Sequence, residues 1–178
     1  MIARIQTVLL QVFRRLPTFG RRWVVRLVTP SFTVGAICLI ERNDGRVLLV
    51  RQVYRNAWGV PGGLTKRGEH IADCARREVF EEVGLRIDLV GEPAVVVDPP
   101  PQRVDVVYRA RPSEHEDVSD VRPASPEIRE VRWFALDELP ELQHEAVSAL
   151  AALARTSAQT QLHLPLHRLR SSTDDLSA

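Results

Sequence analysis

The sequence predicts an α/β domain, and three observations carry that expectation. Apolar, β-branched runs at residues 32–40 and 46–52 flank Asn43-Asp44-Gly45, the pattern of two buried strands around a tight turn. A glycine-rich segment then leads into a helical stripe of Ile71, Cys74 or Ala75, Val79 and Val83, spaced at three and four residues. Further strand patterns follow, and an Ala/Leu-rich helix closes the chain near residue 154, so strands and helices are interleaved as in an α/β fold.

Composition narrows the class. The 178 residues suit one domain with a sizeable core. A net charge of +1 gives no polyelectrolyte signal for nucleic acid. Cys38 and Cys74 have neither a CxxC neighbour nor metal-type spacing, and they read as two reduced, buried thiols of a cytoplasmic protein. No apolar run reaches the roughly 18 residues of a membrane span.

Taken in order, residues 1–30 form a basic extension. They hold six arginines, and the first acidic residue is Glu41. Ile5, Val8, Leu9, Val12, Phe13 and Leu16 recur at helical spacing until Pro17, and a second run covers Trp23 to Val28. The expectation is an amphipathic helical extension packed on the domain or on a second subunit. A helix resting on an anionic membrane surface and a targeting segment are the alternatives.

Phe32 to Ile40 reads as a buried strand. Asp44-Gly45 signals a hairpin, and Arg46 to Gln52 returns as its partner. Trp58 sits beside the glycine-rich turn and reads as core, with base stacking as the alternative. Pro61 biases Val60 toward extended backbone. Gly62 and Gly63 let the main chain approach a ligand closely. The helix is expected from Glu69–Ile71 to Val83, with Gly84 as its left-handed cap. Residues 86–97 read as one long strand or a strand pair broken at Gly91-Glu92-Pro93. Arg103 to Ala110 alternates as a strand, 111–126 is a polar loop, and Val131 to Phe134 is a short strand. Glu141 to Ala154 is the closing helix, and 157–178 reads as a poorly ordered tail.

The helix carries the chemistry. Glu78, Glu81 and Glu82 fall within about one turn near its C-terminal end. They repel one another, and that end of a helix disfavours negative charge. A bound divalent cation removes both conflicts, and hard oxygen ligands point to Mg²⁺ or Mn²⁺.

Spacing turns this cluster into a resemblance. Gly63, five residues, Glu69, seven residues, Arg77-Glu78, then Glu81-Glu82 and Gly84-Leu85 match the Nudix box over 23 residues without a departure. The chain therefore resembles a Nudix hydrolase. The resemblance implies an α/β/α sandwich around a mixed β-sheet, spanning residues 31–156 with the N-terminal helical extension ahead of it. It implies metal-dependent hydrolysis of a diphosphate bond in a nucleoside diphosphate linked to a moiety X. Glu81 and Glu82 are the expected metal ligands, and Glu78 is ligand or general base. The Gly62 carbonyl joins the metal sphere, Arg77 makes a structural salt bridge, and Glu69 is a lesser ligand or orienting group. Gly63 and Gly84 shape the backbone. A basic residue at the place of Arg51 can contact substrate phosphate, with a surface arginine on a strand end as the alternative. An acidic residue after the box adds a ligand or base, Glu127 in first place and Glu130 in second. Members acting on ADP-ribose carry a marker proline about where Pro101 falls, 16 residues beyond Leu85, but within Pro99-Pro100-Pro101 a plain loop is the preferred reading.

Other classes compete with this reading. A diphosphate isomerase of the same fold wants a pocket cysteine, and neither Cys38 nor Cys74 falls where one is needed. A ligand-sensing regulator needs a helix-turn-helix domain that the C-terminal residues do not form. A membrane- or partner-binding module using residues 1–30, and a homodimer, are both compatible with catalysis. The substrate stays open among nucleoside triphosphates, nucleotide sugars such as ADP-ribose, and dinucleoside polyphosphates.

Overall fold

The structure, a computed structural model, describes residues 13–159. Its elements are α1 (Thr18–Val28), β1 (Thr33–Ile40), β2 (Val47–Gln52), β3 (Gly62–Leu64), α2 (Ile71–Val83), β4 (Ile87–Asp98), β5 (Arg103–Pro112), β6 (Ile128–Phe134) and α3 (His144–Gln159). One sheet has the order β3-β1-β5-β4, and a second pairs β2 with β6. β1 runs parallel to β5 and antiparallel to β3, so the larger sheet is mixed.

The unbroken apolar run of β1 has a direct physical cause, because both faces of the strand are covered. Ala36, Cys38 and Ile40 pack toward Cys74, Ala75, Val79 and Val83 of α2. Ile37 and Leu39 pack toward Ala149, Ala152 and Leu153 of α3. The two helices thus sandwich the sheet. Ile40, Leu48 and Leu49 are fully buried, each contributing about 1.5–3 kcal/mol of burial.

The Asp-Gly turn forms where expected, but not as the start of a hairpin ladder. Gly45 has φ 80° and donates to the Arg42 carbonyl at 2.9 Å. Arg42 donates to the Arg46 carbonyl at 2.8 Å. Beyond the Glu41–Val47 bridge the strands separate, since β3 and β5 take the two edges of β1 and β2 pairs with β6. The turn chemistry is local, whereas strand partners are chosen by which faces must be buried.

Other boundaries also moved. The glycine-rich turn contains a strand, β3, whose Gly62 and Gly63 lie opposite Ile37 and Ala36. Residues 87–98 are one strand with a register shift between Val90 and Ala94, where Gly91 takes φ 69°. α3 begins at His144 and reaches Gln159, covering the first residues of the expected tail. The stop at Pro17 is present, and a helix restarts at Thr18. The expected apolar spacing from Ile5 to Val12 and the tail from residue 160 lie outside the described residues. Among the described residues, no helix is long and apolar enough to cross a membrane.

Candidate active site

α2 delivers the glutamates to β3. Gly68 turns at φ 81°, and the Lys66 amide donates to the Glu69 carboxylate at 2.8 Å before the helix begins. At the other end Gly84 adopts the left-handed conformation (φ 69°) and donates to the Phe80 carbonyl at 2.9 Å. Cys74, Ala75, Val79 and Val83 anchor the apolar side, which turns Glu78 and Glu82 toward the glycine strand.

Arg77 is the hub of this surface. Its guanidinium donates to both oxygens of Glu69 at 2.7 and 2.9 Å, to Glu78 at 2.6 Å and to Glu81 at 3.0 Å. It also reaches the Leu64 carbonyl at 3.3 Å, tying helix to strand. The guanidinium holds the Glu69 carboxyl down to about 2, and the three carboxylates raise Arg77 in turn. One planar cation thus fixes three anions in place.

Glu82 is different, being 8% exposed with no cationic partner among the described residues. The Gly62 amide donates to its Oε2 at 3.1 Å. Burial pushes its carboxyl up to about 8, against that amide and with further repulsion from Glu78, Glu127 and Glu81. Opposite it, the Glu78 carboxylate lies against Gly63, where a built Cβ would sit 2.7 Å from Oε1. Gly63 is therefore needed for clearance. Gly63→Ala is expected to keep the fold, because a flexible carboxylate can move aside, but to lower turnover about tenfold to a hundredfold by displacing Glu78. Steady-state kinetics beside a thermal melt checks this; unchanged kcat would show that the position of Glu78 does not matter.

Glu78, Glu82 and Glu127 line one cavity of about 460 Å³, together with Gly62, Arg55 and Arg103. Among the described residues no three His, Cys, Asp or Glu side chains are gathered closely enough to hold a metal ion as they stand; the carboxylates stand around an open cleft. The donor set nevertheless fits a divalent cation. Its oxygens are hard ligands, its buried carboxyl has no cationic partner among the described residues, and the glycine backbone leaves room beside it.

Several expected residues stand elsewhere. Glu81 is half exposed, held by Arg77 and by Lys66 Nζ at 3.6 Å, and it does not line the cleft. Arg51 does not line it either. Arg51 and Glu130 are register partners on β2 and β6, so they form a cross-strand ion pair, and the Arg51 guanidinium covers the Trp58 ring at 5.4 Å. Glu130, also 3.4 Å from Arg132, is thereby held away from the cleft. Trp58 is core, edge-on to Phe134 with ring centroids 4.9 Å apart. Both cysteines are free and buried, and burial pushes Cys38 up to about 12 and Cys74 to about 11.

The basic groups of the cleft were missed in the sequence. Arg103 donates to both oxygens of buried Asp105 at 2.9 and 2.8 Å. Arg55 donates to Glu145 at 3.1 Å. Both arginines also border a second cavity of about 320 Å³ that contains Asp98, Pro101 and His144. The Arg103-x-Asp105 alternation places both side chains on one face of a strand and was a usable signal. Arg55 gave none, since its partner lies 90 residues away.

An α/β/α sandwich with an acidic helix facing a glycine strand defines a class of hydrolase. The NUDIX domain family model matches residues 31–154, and the chain belongs to the Nudix hydrolase family. It is 29% identical to a MutT-like protein of Streptomyces ambofaciens, over 75% of this chain and 85% of that protein. It is 31% identical to an NAD-capped RNA hydrolase NudC of Pseudomonas syringae over 64% of this chain, but spans only 40% of that relative's length. The crystal structure of a Nudix hydrolase from Nitrosomonas europaea superposes with a TM-score of 0.61 at 27% identity, covering 75% of this chain and 74% of the other.

Proposed function

We propose that this protein hydrolyses a diphosphate bond in a nucleoside diphosphate linked to a second moiety, using Mg²⁺ or Mn²⁺. The observation that carries the reading is Glu82, a buried carboxyl without a cationic partner among the described residues, sharing one cleft with Glu78 and Glu127. These three residues, with the Gly62 carbonyl, would hold the cation, and Glu81 would join from the rim by releasing Lys66. Bound there, the cation supplies charge neutralisation for the diphosphate and acidifies an attacking water.

The chain's own residues do the rest. Arg77 and Glu69 keep Glu78 aimed at the cleft. Arg55 and Arg103, rather than Arg51, bring positive charge to the substrate phosphates, since both line the cleft. Glu78 or Glu82 accepts the proton of the attacking water. The α/β/α domain of residues 31–156 acts as the catalytic unit, and its two buried thiols suit a reducing cytoplasm.

Similarity to a MutT-like protein and to an NAD-capped RNA hydrolase supports a nucleotide substrate. The test is release of phosphate, pyrophosphate or mononucleotide across nucleoside triphosphates, ADP-ribose, a dinucleoside polyphosphate and NAD-capped RNA. Turnover of at least one substrate is expected with Mg²⁺. EDTA should abolish it and added Mg²⁺ or Mn²⁺ restore it. Turnover that survives chelation overturns the metal reading, and no turnover across the panel overturns the reaction.

A further inference from the structure

We propose that α1 docks the protein on an anionic lipid surface, a function separate from hydrolysis. The apolar sides of α2 and α3 are buried in the two halves of the core. That of α1 is not: Phe19 is 69%, Trp23 57% and Val24 36% exposed. At 3.6 residues per turn, Phe19, Trp23 and Val24 share one side of the helix within about 140°, with Arg21 outside that arc. Arg14, Arg15 and Arg21 are exposed. The first thirty residues hold six arginines, and no acidic residue precedes Glu41.

A partner for this surface must offer apolar depth and negative charge together. An interfacial lipid layer does so: Trp and Phe sink to the headgroup boundary while arginines meet anionic headgroups. A second copy of α1 does not, because it would set arginines against arginines. The sheet adds a second contact at the same end of the domain. β1 starts five residues after α1 ends. At that end Val34, Val104 and Val97 align across three strands, and Phe32, Val95 and Val97 remain exposed.

The test is co-sedimentation of the full-length protein with phosphatidylcholine vesicles that contain or lack phosphatidylserine. Binding is expected only to the anionic vesicles, with release as salt is raised. Replacing Arg14, Arg15 and Arg21 together with Glu, or Phe19 and Trp23 together with Ser, is expected to weaken partitioning about tenfold or more. Hydrolysis of a soluble substrate by these variants should match wild type, which also confirms that they fold. Equal partitioning into both vesicle types, or none into either, overturns the proposal. So does a wild-type dimer in sedimentation velocity that Trp23→Ser dissolves, because α1 would then belong to a second copy.

Discussion

Glu82→Gln is expected to lower Mg²⁺-dependent turnover by about two to three powers of ten while the fold remains intact. Glutamine has the same shape and keeps an oxygen to accept the Gly62 amide, now 3.1 Å from Oε2. What it removes is the carboxyl's ability to ionise and ligate a cation. Glu78 and Glu127 remain in the cleft, so the cation loses one ligand without a change in packing. Wild-type kcat in this variant would remove Glu82 from the mechanism. The same substitution has a signature in stability. In the metal-free fold the Glu82 carboxyl is pushed up to about 8, whereas in the unfolded chain it ionises near 4.5. Between those values the unfolded chain binds fewer protons than the fold, so stability is full below about 4.5 and declines as pH rises toward about 8. Thermal melts in chelator should show this decline in wild type and a flatter profile in Glu82→Gln. Saturating Mg²⁺ should reduce the decline, because the cation favours the ionised form. Identical profiles for both proteins would mean that Glu82 ionises freely in the fold.

Gly62→Ala is expected to cost about 3 kcal/mol or more of stability. Gly62 has φ 155°, a conformation that side-chain-bearing residues rarely adopt. An added Cβ would meet the Ala36 carbonyl and lie 2.9 Å from Ile37 Cα. Those atoms belong to β1, which is held between β3 and β5 with both faces covered and has nowhere to move. The contrast with neighbouring Gly63 is informative, since there the obstacle is the movable end of Glu78. Urea unfolding checks the difference. A midpoint for Gly62→Ala close to that of Gly63→Ala would show that β3 can leave β1 at little cost.

The acidic helix was legible in the sequence because its rules are local. Glu78, Glu81 and Glu82 share a turn by helical periodicity, Gly84 marks the left-handed cap, and Arg77 pairs with Glu81 one turn later. The apolar stripe was legible for the same reason. β1 announced burial on both sides through its unbroken apolar run, but not the identity of its neighbours. Asp44-Gly45 pointed to β2, and the chain chose β3 and β5. Arg51 resembled a phosphate contact and became a cross-strand partner of Glu130, once β2 paired with β6.

By itself, then, the sequence determined the family and the acidic helix with its cluster of carboxylates. These follow from residue type and from separations of a few positions along one element. Only the tertiary structure decided which carboxylates share the cleft. Glu127 arrives from the loop before β6, while Glu81, inside the box, turns out to Lys66. It also decided which cations border the cleft, Arg55 and Arg103, and left α1 with its apolar side uncovered. Such outcomes depend on strand pairing and burial between residues tens of positions apart, where closing the intervening chain costs entropy that no local pattern records.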